Sequence, residues 1–197
     1  MSLVSAVILA AGTSSRMGKA KQLLPLGDST VLAQTLARVH SAALHEIVLV
    51  LGASAQAIQP RLPSLPTLRI VLNPQYGQGI AGSLRTGLSA LDPESAAALI
   101  ILGDQPFIRP ETLLRIVQEY HRSHPPIVIP TCQGKRGNPV LLDRSVFPEA
   151  HQLEGDVGFR ALFARHLEEI VKVEVEDKGI LLDLDDPADY ERLKLRS

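Results

Sequence analysis

The sequence has few of the residues that mark disulfide-rich, zinc-binding or nucleic-acid-binding proteins. Among its 197 residues there is one cysteine, Cys132, which excludes an internal disulfide and a zinc site built from several cysteines. There is no tryptophan, there are three tyrosines and four phenylalanines, and the formal net charge is −1. We therefore expect no nucleic-acid partner, and the lone thiol is typical of a reducing, cytoplasmic compartment.

Long hydrophobic runs are also missing. The strongest interior run, Ala96–Leu102, is far shorter than the roughly 20 residues that a membrane helix needs. The apolar start, Val4–Ala11, has no basic residue before it, since the first is Arg16. It therefore lacks the charged beginning of a signal peptide, and we expect a soluble chain with no membrane partner.

The charges that are present are unevenly distributed. Residues 1–91 carry seven basic and two acidic side chains, whereas residues 92–197 carry thirteen basic and nineteen acidic ones. Such an asymmetry indicates that the two halves handle different ligand chemistry.

Short apolar runs alternate with amphipathic stretches of helix length. The expected strands are Val4–Ala10, Glu46–Leu51, Leu68–Leu72, Ala97–Leu102 and Pro126–Ile129, and the expected helices are Thr30–Ala43, Gln78–Leu91 and Pro110–Ser123. This order predicts an α/β fold with an open, mostly parallel sheet covered by helices on both faces. The looser pattern after Pro130 predicts strands at Pro139–Leu142, Glu169–Val175 and Ile180–Leu184 and helices around Val157–Leu167 and at Pro187–Leu195. With no repeat or linker, we expect residues 1–197 to form one domain.

The first strand is followed by a loop rich in small and basic residues, Gly12–Lys21. Small residues at a strand end let the backbone approach a ligand, and the basic side chains Arg16, Lys19 and Lys21 favour an anion such as a triphosphate. The spacing is not that of a P-loop, because Gly12 to Gly18 is one residue too long and Ala20 follows Lys19. A solvated turn with incidental charge is the alternative.

A second glycine pattern, G-x-G-x-x-G, lies at Gly77–Gly82. A dinucleotide fingerprint would follow its strand directly, whereas residues 73–76 intervene here. Asp104 lies about as far along the chain as the acidic residue of such a fingerprint, so an oxidoreductase remains an alternative of low rank.

Carboxylates follow two of the later strands. Asp104 ends a buried strand in a Gly-Asp-Gln-Pro turn, where a carboxylate is unfavourable without a partner, and Mg²⁺ bound together with substrate phosphates would supply one. An aspartate that caps the nearby helix or forms a turn is the alternative. Asp183 and Asp185 fall on one side of an extended segment, and are either further metal ligands or solvated charges. Asp186 before Pro187 is typical of a helix N-cap.

Six stretches in chain order resemble the MobA-like nucleotidyltransferases, specifically the molybdenum cofactor cytidylyltransferase and xanthine dehydrogenase accessory branch. They are LAAG-x-S-x-RMG-x-x-K-x-LLPL at Leu9–Leu26, Asn73 with GQGIAGSLRTG at Gly77–Gly87, LGDQP at Leu102–Pro106, GKRGNPVLL at Gly134–Leu142, GDVGFRALF at Gly155–Phe163, and D-x-D-x-P at Asp183–Pro187. The resemblance implies a single-domain, Rossmann-like, three-layer α/β/α fold.

The resemblance also implies roles for particular residues. Arg16, Lys21 and Asp104 would be catalytic, and Asp104, Asp183 and Asp185 would hold Mg²⁺. The nucleotide would contact Leu9, Ala10, Ala11, Gly12, Ser14, Arg16, Gly18, Lys21, Asn73, Gly79, Gly82 and Ser83. The acceptor would contact Gln105, Arg136, Gly137, Asn138, Pro139, Gly155 and Asp156, with Asn138 standing where many relatives have histidine.

The implied reaction is the transfer of CMP from CTP to a molybdopterin-type cofactor, with release of pyrophosphate. In the family, LAAG rather than LAGG accompanies cytosine nucleotides, so Ala11 favours CTP. GTP as donor, a sugar phosphate as acceptor, and a non-catalytic carrier of the cofactor remain the alternatives. A molybdoenzyme or its accessory protein would be the protein partner.

Overall fold

Strands and helices alternate along the chain. The computed structural model describes residues 2–14, 17–156 and 159–194. Its strands are β1 (Leu3–Ala10), β2 (Pro25–Leu26), β3 (Ser29–Thr30), β4 (Ile47–Leu51), β5 (Leu68–Leu72), β6 (Ser95–Leu102), β7 (Ile127–Cys132), β8 (Lys135–Arg136), β9 (Val140–Asp143) and β10 (Ile170–Glu174). Its helices are α1 (Val31–Ser41), α2 (Ala55–Ile58), α3 (Ile80–Ser89), α4 (Pro110–Ser123), α5 (Phe147–Ala150), α6 (Arg160–Arg165) and α7 (Pro187–Lys194).

The central sheet is mostly parallel, as predicted. Its strand order is β10-β7-β9-β6-β1-β4-β5, with β8 paired to β7, while β2 and β3 form a separate pair. β1 lies between β4 and β6 and is parallel to both, whereas β9 is antiparallel to β6 and to β7. Because β9 reverses direction between them, β6 and β7 end at the same edge of the sheet as β1.

Alternate residues of β1 pack into two different hydrophobic clusters, because both faces of the sheet are covered. Ala6 and Ile8 pack in the cluster that includes Leu36 of α1 and Ile116 of α4, whereas Val7 packs with Leu84 of α3. Burying each large apolar side chain contributes roughly 1.5–3 kcal/mol, which explains why a central strand apolar on both faces is stable.

Helix α3 approaches β1 closely at Gly87. A Cβ atom built at this position would lie 2.3 Å from Cγ1 of Val7, so a larger residue could not pack there without displacing the helix. This close packing fixes the position of α3, whose first residues lie at the carboxyl edge of the sheet.

The predicted strand at Ile180–Leu184 is wrong. Lys178–Leu181 form a 3-10 turn, and residues 182–185 have no regular structure. The physical reason is that Asp177 accepts a hydrogen bond from the Gly179 N–H at 2.8 Å, while the Ile180 carbonyl accepts one from the Asn138 N–H at 3.0 Å. These polar contacts tie the segment to loops rather than to a sheet edge.

The other predicted elements differ mainly at their ends. α6 covers the middle of the helix expected around Val157–Leu167, of which residues 157 and 158 lie outside the described part of the chain. The N-cap prediction for Asp186 agrees with the structure, since its carboxylate accepts a hydrogen bond from the Asp189 N–H at 2.8 Å. At 14 residues α4 is the longest helix of the described chain, and none of the described helices has the length and hydrophobicity of a membrane span.

Candidate active site

A cleft of about 490 Å³ opens at the carboxyl edge of the sheet, where β1 and β6 end. This is the edge at which open α/β sheets bind their ligands. Of the residues expected in the site, the cleft is lined by Leu9, Ala10, Ala11, Gly12, Lys21, Gly79, Ser83, Asp104, Asp156, Asp183 and Asp185. Among the described residues, those expected in the site but absent from the lining are Ser14, Gly18, Asn73, Gly82, Gln105, Arg136, Gly137, Asn138, Pro139 and Gly155. Arg16 lies outside the described residues.

Lys21 connects three segments of the site. Its Nζ donates a hydrogen bond to Oδ2 of Asp104 at 2.5 Å, to the carbonyl of Leu184 at 2.9 Å, and to Oδ1 of Asp185 at 3.5 Å. Asp104 is buried, so the ammonium group supplies the positive partner that a carboxylate at a buried strand end requires. The two charges come from chain positions 83 residues apart, which the fold brings together.

Asp183 lies at the same end of the cleft. The side chain is open to the solvent of the cleft, but surrounding protein atoms desolvate it and, with the negative charges of Asp104 and Asp185, raise its pKa. Gln105 donates a hydrogen bond from Nε2 to Oδ1 of Asp183 at 2.5 Å, which holds the carboxylate in place. Gln105 therefore acts through Asp183, and its Oε1 is buried with no hydrogen-bond partner among the described residues.

Ser14 is hydrogen-bonded to the segment that carries Lys21 and Gln22. Its φ of 54° is left-handed, and its Oγ accepts a hydrogen bond from the Lys21 N–H at 3.1 Å and donates one to Oε1 of Gln22 at 3.4 Å. Gln22 is buried and donates from Nε2 to the carbonyl of Ala10 at 3.1 Å. The loop thus folds back on the end of β1, and this brings Lys21 into the cleft.

Asn73 positions another residue instead of lining the cleft. It is buried, its Nδ2 donates to Oγ of Ser83 at 3.0 Å, and its Oδ1 accepts from the Gln75 N–H at 2.9 Å. Ser83 lines the cleft, so Asn73 fixes the orientation of the group that a nucleotide would meet. Gly82 lies beside this contact, since a Cβ there would be 3.4 Å from Nδ2 of Asn73, an ordinary contact distance.

The start of α3 is bonded to the segment at Gly155 and Asp156. Oδ1 of Asp156 accepts a hydrogen bond from the Ile80 N–H at 3.1 Å, and the Gly155 carbonyl accepts one from the Ala81 N–H at 3.2 Å. Gly79 makes this approach possible, since its φ is 98° and a Cβ would lie 2.4 Å from the carbonyl carbon of Gly155. The two segments therefore form one wall of the cleft.

The hairpin that carries the remaining acceptor residues lies beside the cleft. Gly137 packs against Ile180, where a Cβ would lie 2.5 Å from the Ile180 carbonyl oxygen. Arg136 places its guanidinium carbon 4.3 Å from the centre of the Phe163 ring. The structure thus brings the hairpin close to α6 and the 178–181 turn, but not into the cleft lining.

The charges of the cleft lining suit a divalent cation. Four carboxylates line the cleft (Asp104, Asp156, Asp183 and Asp185). Among the described residues, Lys21 is the one cationic side chain in the lining. Within the described chain, no three His, Cys, Asp or Glu side chains are already arranged as a metal site. The oxygen donors nevertheless fit Mg²⁺, which binds one or two carboxylates together with substrate phosphates. Desolvation first, and then the negative charge of Asp104, raise the pKa of Asp183, and a cation would offset both effects.

Seven residues of the cleft lining were not among the expected site residues: Thr13, Gln22, Tyr76, Gly77, Ile80, Leu102 and Gly103. The two largest polar side chains among them are those of Gln22 and Tyr76. Gln22 directly follows Lys21 in the first motif, so its position was a usable signal. Tyr76 lies in the 3-10 turn before α3, and nothing in its neighbours distinguishes it from a surface aromatic residue.

This arrangement of fold and cleft is that of a nucleotidyltransferase, and residues 6–170 match the MobA-like NTP transferase domain family. The chain belongs to that family, as its six motifs predicted. The expectation of an enzyme of the nucleotidyltransferase class is therefore confirmed at the level of the family.

Two relatives are similar over nearly the whole chain. The chain is 28% identical to the molybdenum cofactor cytidylyltransferase of Escherichia coli K12 over 196 residues, which is 100% of this chain and 98% of the relative. It is 30% identical to the nicotine blue oxidoreductase of Paenarthrobacter nicotinovorans over 193 residues, which is 92% of each protein.

Three solved structures are also similar over nearly the whole chain. A crystal structure of a protein from Mycobacterium tuberculosis H37Rv has a TM-score of 0.88 and 33% identity, covering 99% of this chain and 100% of that one. A complex with manganese from the same organism has a TM-score of 0.82 and 31% identity, covering 100% and 99%. A nucleotidyl transferase from Methanothermobacter has a TM-score of 0.85 and 27% identity, covering 100% and 98%.

Proposed function

We propose that this protein transfers CMP from CTP to the terminal phosphate of a molybdopterin-type cofactor, in a Mg²⁺-dependent reaction that releases pyrophosphate. The observation that carries the proposal is the meeting of Lys21, Asp104 and Asp183 in a cleft at the carboxyl edge of the sheet. The similarity to a cytidylyltransferase over the full chain supports the choice of reaction. We also propose that residues 1–197 act as one domain, since the last third of the chain supplies Asp183 and Asp185 to the same cleft.

The chemistry requires positioning and neutralisation of charge more than proton transfer. The acceptor phosphate attacks the α-phosphorus of CTP, the bond from that phosphorus to the bridging oxygen breaks, and pyrophosphate leaves. Lys21 exchanges its contact with Asp104 for the phosphate oxygens and offsets the negative charge that develops on the leaving group. Ala11, Gly12 and Ser83 border the nucleotide, and Arg16 contributes a second positive charge to the phosphates.

A magnesium ion held by Asp104, together with Asp183 or Asp185, would supply the positive charge that the phosphates need in an acidic cleft. Lys21 alone cannot offset four carboxylates and a triphosphate at the same time. We therefore expect nucleotide binding to require the metal. Removal of divalent cations with EDTA should abolish turnover, and added Mg²⁺ should restore it.

The test of the proposal is the release of pyrophosphate in the presence of Mg²⁺, measured with CTP, GTP and ATP, each with and without molybdopterin-type cofactor. We expect release with CTP and cofactor together. A preference for GTP would show that Ala11 does not select cytosine. Tight binding of the cofactor without release from any nucleotide would instead identify a carrier, and release with a sugar phosphate as acceptor would change the substrate class.

A second candidate, oxidoreduction with a nicotinamide cofactor, comes from the name of one relative and from the glycines at 77, 79 and 82. The geometry at these glycines does not favour it. The space beside Gly79 is occupied by the backbone of Gly155. The first amide of α3, where a pyrophosphate would bind, already donates its hydrogen bond to Asp156. We expect no binding of NADH or NADPH, measured by the fluorescence of the nicotinamide ring.

A further inference from the structure

Arg136 lies over the ring of Phe163, which follows Arg160 by one turn of α6, and neither arginine forms an ion pair with a carboxylate in the described part of the chain. Arg136 belongs to β8 and Arg160 begins α6. Four other arginines differ in this respect, because each of them contacts a carboxylate: Arg69, Arg122, Arg165 and Arg192. Arg136 and Arg160 thus carry positive charge that no carboxylate of the described residues offsets, and they lie on elements that the Phe163 ring brings together.

Aromatic side chains hold Arg136 in place. Its guanidinium carbon lies 4.3 Å from the centre of the Phe163 ring, and Phe163 stacks on Phe159 with 5.9 Å between ring centres and an angle of 29° between planes. A guanidinium over an aromatic ring loses some of its freedom, and its N–H groups remain available at its edge. Phe159 is half-buried and so leaves apolar surface beside them.

The proximity of the two charges is unfavourable by itself. Partial burial, and then the positive charge of Arg160, lower the pKa of Arg136. Two like charges in a partly desolvated place destabilise the structure unless a group of opposite charge binds between them.

The pair borders the acceptor side of the cleft. β8 pairs with the end of β7 at the carboxyl edge of the sheet, and Phe159 and Arg160 come shortly after Asp156, which lines the cleft. A ligand that extends from Asp104 past Asp156 would therefore run towards the segment that begins with Phe159 and Arg160.

We propose that Arg136 and Arg160 bind a second anionic group of the acceptor, remote from the phosphate that attacks CTP. The acceptor class is a phosphorylated molecule with a flat, partly apolar body and another anionic group at its far end. The guanidinium groups donate to that anion, as arginines do when they bind oxyanions in bidentate fashion. The flat body lies against Phe159. This inference rests on the proposed function, because it assigns a further part of the same acceptor.

The direct test uses inorganic phosphate as the probe and the Nε–H signals of arginine side chains in NMR as the readout. Titration should shift the signals of Arg136 and Arg160 saturably in the unmodified protein. The shift of the Arg136 signal should disappear in Arg160→Gln and persist in Arg165→Gln, a matched control on the same helix whose arginine is paired with Glu149. No saturable shift in the unmodified protein, or an unchanged Arg136 shift in Arg160→Gln, would overturn the proposal.

A kinetic test separates binding of the acceptor from a structural role. In the pyrophosphate assay, Arg160→Gln should raise the KM for molybdopterin-type cofactor about tenfold, the effect of one lost charge-assisted contact, and leave the KM for CTP and kcat nearly unchanged. A parallel loss of kcat and of affinity for CTP would contradict a role confined to the acceptor. If the unmodified protein releases no pyrophosphate, the proposed function fails, while the phosphate titration still decides whether the two arginines form an anion site.

Discussion

The first two thirds of the chain and the last third contribute to the cleft through different contacts. In residues 3–123, which we call the framework, parallel strands and helices are joined by buried apolar side chains on both faces of the sheet. In residues 133–194, the closing region, buried apolar side chains also pack, and the segments that border the cleft are held in addition by polar contacts. Asp177 and the carbonyl groups of Ile180 and Leu184 make several of them.

The difference shows how the site divides its tasks. The framework ends each strand at one edge and so brings Lys21, Asp104 and Ser83 to fixed positions. The closing region adds Asp183 and Asp185 through a few hydrogen bonds, each of which a single substitution can remove. Changes in the framework should therefore alter stability through packing, whereas changes in the closing region should alter the geometry of the cleft.

Substitution of Asp104 by asparagine should have the largest effect on activity. The change removes the charge that faces Lys21 and the proposed metal, so kcat should fall by at least about 100-fold, as with loss of one preorganised electrostatic group. The fold should remain, because asparagine keeps the size of the side chain at the end of β6. Pyrophosphate release and circular dichroism measure the two outcomes.

A comparison of Asp183→Asn with Asp185→Asn tests which carboxylate of the closing region holds the proposed metal together with Asp104. The variant that loses activity to a similar extent identifies the second ligand, and the other variant acts as its control. Near-normal activity of Asp104→Asn would contradict the metal assignment and with it the view that both regions build the site.

Substitution of Asp177 by alanine should produce the largest loss of stability in the closing region. Asp177 is buried and accepts hydrogen bonds from the Arg109 N–H at 2.8 Å, from Oγ1 of Thr112 at 2.7 Å and from the Gly179 N–H at 2.8 Å. Loss of the carboxylate leaves these donors without a partner, so the free energy of unfolding should fall by about 2–4 kcal/mol.

Glu176→Ala is the matched control for Asp177→Ala, because Glu176 is the exposed neighbour. Both variants are measured by chemical denaturation. Equal stabilities of the two variants would mean that the 3-10 turn is held by apolar packing like the framework, and the comparison between the regions would fail.

The framework could be predicted from the sequence, and the closing region only in part. Leu68–Leu72 and Pro110–Ser123 were predicted to the residue, because uninterrupted apolar runs and a helix-starting proline depend on local sequence. Ile180–Leu184 was predicted as a strand because its residues are apolar, but the bonds from Asp177 and Asn138 make it a turn. The bond from Asn138 joins residues far apart in the chain, and the pattern of apolar residues does not report it.

The same difference applies to the candidate site: the sequence predicted residues that its motifs contain, but not the contacts between side chains. The motifs predicted that Lys21 and Asp104 would belong to one site, and the structure places them 2.5 Å apart. They did not reveal that Asn73 acts through Ser83, or that Gln105 contacts Asp183, because both relations depend on side-chain direction in the folded chain.

Substitution of Gly79 by alanine should disturb the junction between the two regions. The φ of 98° is unfavourable for alanine, and the added Cβ would meet the backbone of Gly155 at 2.4 Å, so stability should fall by about 1–3 kcal/mol. Gly77→Ala is the control, since a Cβ there meets nothing within 4 Å. Thermal unfolding measures both, and an equal melting temperature for the two variants would show that the Gly155 segment does not pack on α3 in solution.

The smallest expected effect is a pH dependence at the end of α6, where polar contacts of the closing region join α6 to α5. Nδ1 and Nε2 of His166 lie 3.0 Å from the carboxylates of Glu169 and Glu149, and Arg165 is the neighbouring cation, 3.3 Å from Glu149. Hydrogen bonds to Glu169 first, and then to Glu149, raise the pKa of His166 against the opposing effect of burial.

Because the pKa of His166 is higher in the folded chain than in the unfolded one, its contribution is complete below about pH 6.5 and is lost as the pH rises through the folded pKa. At this partly exposed site the contribution should be about 0.5–1 kcal/mol. The free energy of unfolding of the unmodified protein should therefore exceed that of His166→Gln by more at about pH 5.5 than at about pH 8.5. A difference that stays constant or grows with pH would mean that the two glutamates do not stabilise the charged ring, and that α6 is held, as the framework is, by its buried apolar face.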